Sequence, residues 1–520
     1  MNKLRVGVIL PDVKAPVCVT RMLEGIRDSS HAEVVLLAIT GETAKKDGLA
    51  SQLYRLHFQL DKRFFRPLPN PWEQKDVREF LPKVELLLGN LSGWNSSLKV
   101  ADLDVLINLG LDHMPESLLD VARYGVWSLR CNDGRATTGT AVGWLELLRD
   151  EPLIHCVVDA KLGGSVREIA RSVMVADRIS FTQIQKSFLW RTASIVPHAL
   201  KRLHLGGEKE FFAHTEAIES AIEISKPGVG ETVALAWKQV TRKLGNKLRR
   251  DGSIDRWILL AGIRSSDDPL GWGGLKPIVP PRGAFWADPF IVQRESKIYI
   301  FFEEFLHKTG FGRISCVEIG PECCIGEART VLEKPYHLSY PFIFEYRGEL
   351  FMIPESAQNR TIEAYRCTRF PDQWEHHKTI MRDLRAVDTT LIEYNGLWWM
   401  FVNIAGEGGS TWDELHVFYA DEPFSDQWTP HLLNPVISDV RSARPAGRLF
   451  LRDGGLVRPS QDSSIRYGYA LNLNRITKLT TNEYEEQLVE RLEPPSGGDI
   501  LAVHTCNFSG NLTVIDAMLK

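Results

Sequence analysis

No stretch of the chain reaches the ~18 uninterrupted apolar residues that a helical membrane span needs. Basic charge is not in excess either. Lys and Arg number 62 against 66 Asp and Glu, a formal net charge of −4, which argues against nucleic acid as a partner. Cysteine is sparse, with eight in 520 residues and no C-x-x-C pair, so neither a metal site nor a disulfide framework is expected. The adjacent Cys323 and Cys324 read as small buried residues, and a reducing cytoplasm fits this usage. No G-x-G-x-x-G follows the first apolar run, so a dinucleotide site of that kind is not indicated. The opening MNKLRVGVILPDV has too short an apolar run for a signal peptide and reads as a first strand. What remains is an ordinary globular composition, 44% hydrophobic and 25% charged, at a length that predicts two domains or more.

The second half repeats itself. WADPFIVQRESKIYIFFEE begins at Trp286, SYPFIFEYRGELFMIPES at Ser339, VDTTLIEYNGLWWMFVN at Val387, and a worn copy, SARPAGRLFLRDGGLVRPS, at Ser442. Each reads strand, tight polar turn, strand. A period of about fifty residues then predicts a β-propeller over residues 255–520, with five blades.

The first three copies align without a gap. Asp288, Tyr340 and Asp388 share one position, and Glu303, Glu355 and Asn403 share another, fifteen residues later. Arg444 takes the first position in the fourth copy, and His504 takes it in a fifth, AVHTCNFSGNLTVIDAM. Hydrophobes such as Phe290 and Phe342, or Tyr299, Phe351 and Trp399, recur because each blade packs on its neighbours. The two polar columns recur in place but change identity, which packing does not require. The innermost strand of a blade begins at the central channel. Asp288, Tyr340, Asp388, Arg444 and His504 are therefore expected to ring one mouth, with Glu303, Glu355 and Asn403 beside them. A second repeat, D-Q-W at Asp372 to Trp374 and Asp426 to Trp428, reads as an outer connection with structural tryptophans.

Such a ring suits acid–base chemistry. Glycosyl transfer or hydrolysis needs one carboxylate ionised and another protonated, and burial beside like charges separates their pKa values. Arg444 and Arg458 are expected to hold a phosphate or uronate bidentately. Trp286, Trp398 and Trp399 are expected to offer faces for a sugar. The alternative is an axis filled by paired charges, with no turnover.

Residues 1–205 alternate strand and helix signals: LRVGVIL, AEVVLLAIT, LDVLINLG, GVWSLR and LIHCVVD, with helical spacing between them. This rhythm predicts an open, largely parallel α/β sheet. Residues 206–254 read as a polar helical linker. There Leu235, Trp237, Val240, Leu244 and Leu248 fall near one face, and Lys238, Arg242, Lys243, Lys247, Arg249 and Arg250 crowd the rest. Such a helix either packs on one domain with a solvated basic face or touches anionic lipid at the inner face of a membrane.

The segment DVLINLGLDHMPESLLDVARYGVWSLRCNDGRATTGTAVGWLELLRDEPLIHCVVDAKLGG resembles the formyltransferase family, whose members use formyltetrahydrofolate. The resemblance implies Asn, His and Asp as the machinery of formyl transfer. Here the Asn position is Ser128, the His position is Arg130, and the Asp position falls at Gly163, with Asp159 four residues early. Arg cannot act as a base near neutral pH, so the domain is expected to have lost that chemistry. His113, Asn132, Asp133 and His155 are the alternative polar groups, His155 reading as a core histidine.

In the second half WADPF, FFEE, HLSYPF, MIPES and F-P-x-x-W resemble the N-terminal domain of plant glucosamine inositolphosphorylceramide transferases and its bacterial relatives. That domain is similar in turn to propeller glycosidases of the arabinanase and invertase type. The resemblance implies Asp288 as base or nucleophile, Asp388 as the residue that orients or tunes, and Glu355 as general acid. It departs in the second blade, where Ser339-Tyr340-Pro341 replaces the Arg-Asp-Pro of the invertase type. The expected partner is a sugar, sugar nucleotide or glycolipid, in glycan, glycolipid or surface-polysaccharide assembly. Two further readings stand beside this one: a sugar-binding scaffold without turnover, and a sugar N-formyltransferase with altered residues.

Overall fold

The run Leu4–Leu10 is buried almost throughout, as a strand covered on both faces must be. In the computed structural model the described residues are 2–41, 49–89, 93–111, 114–132, 134–136, 142–213, 215, 217–218, 222–223, 227–250, 256–264, 270–320 and 326–520. His113, Asp133, Cys323 and Cys324 lie outside them. Two units form, residues 1–249 and, apart from Glu407–Gly409, residues 250–520.

The first unit is an open α/β sheet. Its main strands are β1 (Leu4–Leu10), β2 (Ala32–Ile39), β3 (Glu85–Leu88), β4 (Val105–Asn108), β5 (Val126–Cys131), β6 (Leu153–Leu162) and β7 (Ser165–Val175). They lie in the order β3-β2-β1-β4-β5-β6-β7. The first five are parallel, and β6 runs antiparallel to β5 and β7. The helices are α1 (Val17–Arg27), α2 (Leu49–Phe65), α3 (Trp94–Val100), α4 (Trp144–Arg149), α5 (Phe181–Ala213) and α6 (Val229–Arg250). Side chains alternate across the strands. Val6, Val8 and Leu10 therefore enter one core with α1 and α5, while Ile9 enters another with Trp94 and Leu98 of α3.

Within 206–254, α6 buries Leu235 in the first core, but Trp237, Val240 and Leu244 are exposed. Leu235 therefore does not share the single face expected for it with Trp237, Val240 and Leu244. At 3.6 residues per turn, positions 235 and 237 stand about 200° apart.

The second unit is a five-bladed propeller. The first three blades are four-stranded sheets beginning with Ala284–Arg294, Ser339–Tyr346 and Arg385–Tyr394, and the fourth begins with the short Phe450–Arg452. The fifth mixes both ends of the unit: Arg256–Ile263 pairs antiparallel with Leu512–Leu519, which also carries Cys506–Ser509. That pairing closes the ring. The repeated polar turns are two-residue hairpins. Arg347-Gly348, Asn395-Gly396 and Asp453-Gly454 each have φ > 0 at both positions, the type I′ geometry that matches strand twist.

A candidate functional site at the propeller axis

The aligned polar column coincides with a backbone device. Register breaks between Ala287 and Phe290, Ser339 and Phe342, and Val387 and Thr390 mark a β-bulge in each of the first three blades. The bulged residues Asp288, Tyr340 and Asp388 have φ of 52°, 43° and 54°, left-handed values that non-glycine residues rarely adopt. Glu303, Glu355 and Asn403 sit opposite Ala287, Ser339 and Val387, the residues just before each bulge. Both columns are thus set beside one another by pairing register.

Buried side chains link the blades. Asp288 Oδ1 accepts from Thr505 Oγ1 at 2.7 Å and lies 3.5 Å from His504 Nε2, while its Oδ2 accepts the Tyr340 N–H at 3.2 Å. His504 Nδ1 is 2.7 Å from Asp516 Oδ2. Asp516 also accepts the backbone N–H groups of Asp288, His504 and Thr505. Across the ring, Arg444 grips Asp388 through Nε at 2.6 Å and Nη2 at 3.3 Å, with Glu355 Oε2 3.6 Å from the same Nη2. Gln461 Nε2 donates to Asp388 Oδ2 at 3.1 Å. The Arg444 guanidinium lies 4.9 Å from the Tyr467 ring centre. Glu303 Oε1 is 3.4 Å from His337 Nε2. The Tyr340 hydroxyl is engaged by Thr390 Oγ1 and the Gly447 backbone.

The electrostatics follow from this enclosure. Burial raises Asp288 to about 6, with His504 opposing and Asp388 and Asp516 adding to the rise. Burial, then Asp288 and Glu355, push Glu303 well above the usual carboxylate range. Burial and Asp388 do the same to Glu355 against the pull of Arg444. Burial alone would lower His504, but Asp516 and Asp288 outweigh it and its pKa rises. Carboxyls that keep a proton near neutrality thus stand in one cluster with the Arg444–Asp388 ion pair. Some hydrogen-bonding capacity is unspent. Glu355 Oε2, both amide atoms of Asn403 and Gln461 Oε1 are buried without a hydrogen-bond partner.

Several expected site residues stand elsewhere. Arg458 is fully buried and forks onto Glu486 at 2.8 and 2.7 Å while donating to the Ser442 carbonyl, so its charge is matched within the fourth blade rather than offered to a ligand. Trp286 is packed against Phe302 with ring centres 4.4 Å apart, Trp398 against Phe344, and Trp399 against Tyr419. These three are core residues, because the strand positions they occupy face a neighbouring blade. Trp374 and Trp428 also lie in cores between blades.

Sequence reasoning missed Asp516, Thr505 and Gln461. The one available signal was a carboxylate twelve residues after His504, where the shared spacing of fifteen finds Leu519. It missed Arg448 too. Burial lowers that guanidinium to about 10, and it donates to the Ile343 carbonyl with no carboxylate beside it among the described residues.

In the first unit Ser128 stands in β5 opposite Asn108 and Asp159. Arg130 forks onto Asp159 at 2.7 and 3.1 Å, reaches Glu168 at 2.9 Å and donates to the Asn132 carbonyl. Gly163 and Gly164 have φ of 54° and 83° and form the β6–β7 hairpin turn, so Gly163 serves the backbone. His155 is half-buried and bonds Arg171 at 2.6 Å, not the apolar core expected for it. The cation at the His position is held between two carboxylates. This donor set does not fit a formyl-transfer base.

Residues 279–496 match the family described as "Glucosamine inositolphosphorylceramide transferase 1, N-terminal". A glucosamine inositolphosphorylceramide transferase 1 of Oryza sativa subsp. japonica is 34% identical over 235 residues, covering 43% of this chain and 31% of that protein. The Arabidopsis thaliana protein of the same name is 34% identical over 206 residues, covering 39% and 27%. The chain thus spans less than a third of the length of these curated relatives. Among solved structures, a family 117 glycoside hydrolase of the marine bacterium Zobellia galactanivorans aligns at 12% identity with TM-score 0.34, over 51% of this chain and 90% of that one. The catalytic domain of a Coprinopsis cinerea GH62 α-L-arabinofuranosidase aligns at 12% identity with TM-score 0.35, over 51% and 97%. Over residues 279–496, then, the propeller is similar to the N-terminal domain of glucosamine inositolphosphorylceramide transferase 1.

Proposed function

We propose that this is a carbohydrate-active protein of glycolipid or surface-polysaccharide assembly, and that its propeller axis binds a sugar and transfers or hydrolyses a glycosyl group. The observation that carries this reading is the coexistence, in one buried cluster, of proton-holding carboxyls and unpartnered polar atoms. Glu355 is the general acid, since a carboxyl that keeps its proton near neutrality can give it to a leaving oxygen. Asp288 is base or nucleophile, oriented by Thr505 and the Tyr340 N–H. Asp388, fixed by Arg444, tunes Glu355. Similarity to a transferase whose name joins glucosamine to inositolphosphorylceramide supports a sugar or glycolipid partner.

Purified full-length protein offered a panel of nucleotide sugars, glycolipid acceptors and aryl glycosides tests this by mass spectrometry. Asp288→Asn and Glu355→Gln should each abolish turnover with the fold intact; unchanged rates in both would sink the proposal. A second reading, sugar binding without turnover, is favoured by Tyr340, whose hydroxyl is spent on Thr390 and Gly447. It predicts saturable binding by calorimetry and no product with any donor. For the first unit we propose a formyltransferase-like domain without formyl transfer, because Arg130 is neutralised by Asp159 and Glu168. Binding of a formyltetrahydrofolate analogue would revive the third reading.

A further inference from the structure

Helix α6 is built inside out. Its inward face carries Thr232, Leu235 and Gln239, all buried. Gln239 donates to Asp61 Oδ1 at 2.5 Å and to the Ile179 carbonyl at 2.8 Å, and its Oε1 lies 2.6 Å from His57 Nε2. Asp61 is bound in turn by Ser180 and Thr182. A buried polar network thus fixes α6 beside α2. The outward face carries the hydrophobes instead: Val233, Trp237, Val240 and Leu244, with Trp237 71% exposed. Their spacing of four, three and four keeps them on one stripe.

The neighbouring helix repeats the arrangement. Leu56, Leu60 and Phe64 of α2 line one face, with Phe64 67% exposed. His57 meets Gln239, and Phe64 and Phe65 meet Lys243 at 5.0 and 5.5 Å from their ring centres, so the helices run side by side in the same sense. Two parallel apolar stripes therefore face solvent together. Scattered surface hydrophobes need no explanation, but a contiguous patch marks an interaction surface.

The charge around the patch selects the partner. The two helices hold nine Lys and Arg but only Asp61 and Glu231 as acids, in a chain of net charge −4, and of the nine Lys238 and Arg242 pair with Asp150. Asp61 is buried, and Glu231 is turned to the Gly228 N–H. Arg63, Arg66 and Lys243 meet no carboxylate among the described residues. Exposed aromatics and aliphatics on one stripe, flanked by cations that lack acids, match the headgroup layer of an anionic bilayer.

We propose that the paired outer faces of α2 and α6 dock this protein on an anionic lipid surface, Trp237 and Phe64 entering the acyl boundary and Lys243, Arg63 and Arg66 meeting lipid phosphates. The inference is independent of the chemistry at the propeller axis. Flotation of the full-length chain with vesicles tests it, using phosphatidylcholine alone and phosphatidylcholine mixed equally with phosphatidylglycerol. Binding is expected on the mixed vesicles, weakening with added salt, and about tenfold or more weaker for Trp237→Glu with Phe64→Glu. Circular dichroism would check that this variant is folded, and Lys243→Glu serves as a second, charge-only variant. No binding to mixed vesicles, or equal binding to both kinds, overturns the proposal. So does a concentration-dependent dimer that the same variants dissolve, which would make the face a contact between copies of this chain.

Discussion

Replacing Asp288 by Asn should make the propeller less sensitive to alkaline pH while removing its proposed chemistry. Asp288 is raised from 3.8 to about 6, chiefly by burial. One pKa unit is worth 1.36 kcal/mol, so ionising it inside the fold costs about 3 kcal/mol. The native state holds this proton at pH values where the unfolded chain has lost it. Stability from this group is therefore present at low pH and falls as pH rises through 4 to 6. Between pH 5 and pH 8 the loss is about 1.4 kcal/mol, or about 3–6 °C in Tm for a domain of this size. His504 acts in the same direction, since its raised pKa contributes stability below 6.5 that is lost as pH passes its folded value. An Asn is isosteric: its oxygen takes the Tyr340 N–H, and its amide donates to Thr505 Oγ1, with the hydroxyl turned to accept, and to His504 Nε2 where that ring is neutral. Thermal scans of both proteins by tryptophan fluorescence from pH 5 to pH 8 should show a falling Tm for the parent and a flatter line for Asp288→Asn. Parallel profiles would refute the argument, showing Asp288 to be one half of an ordinary ion pair.

Three further changes probe the ring. Arg444→Met strands Asp388 in the interior and should cost about 3–5 kcal/mol, with most of it recovered when Asp388→Asn is added, since Asn removes the charge and tolerates the left-handed φ of 54° at that position; chemical denaturation of the single and double variants decides, and equal losses would argue against stranding. Tyr340→Phe leaves the Gly447 N–H without its acceptor and should cost about 1–3 kcal/mol in the same assay. Asn403→Leu removes a buried amide that has no partner, so Tm should hold or rise while sugar binding by calorimetry is lost.

Much of the propeller was legible because a repeat is a statement about packing: hydrophobes that recur at a fixed spacing must meet a neighbouring blade. The polar columns were legible for a local reason. Asp288, Tyr340 and Asp388 sit at the same bulge, so a gapless alignment finds them without knowledge of the fold. Asp516 was not legible, because the fifth hairpin is shorter and its carboxylate falls out of register. Arg458 and Trp286 show the converse limit. Each has the chemistry of a ligand contact, but which face of a strand a residue takes, and what Glu486 or Phe302 already offers it, is settled only by tertiary pairing. In the α/β unit, periodicity found the strands but not that Arg130, Asp159 and Glu168, far apart in sequence, close on one another. Nor did it reveal the inversion of α6, since the network holding its inner face comes from α2 and the start of α5.

The ring at the axis has two unlike halves. Blades five, one and two are stitched by carboxylates: Asp516 accepts the Asp288 N–H, and Asp288 accepts the Tyr340 N–H. Each bond secures a left-handed residue of the kind that costs about 1–3 kcal/mol, and Tyr340 is the costlier because Asp tolerates that conformation better. The carboxylate stitching stops there, because Tyr340 brings a hydroxyl instead, which meets Thr390 Oγ1 and the Gly447 backbone. Asp388 is left to Arg444 and Gln461. The unpartnered atoms of Glu355, Asn403 and Gln461 all fall on this second side, on blades two to four. A buried polar group without a partner is costly and persists where something else satisfies it. The clamped half therefore holds the strained geometry in place, and the half from Glu355 to Gln461 keeps the open hydrogen-bonding positions at which the proposed sugar would bind.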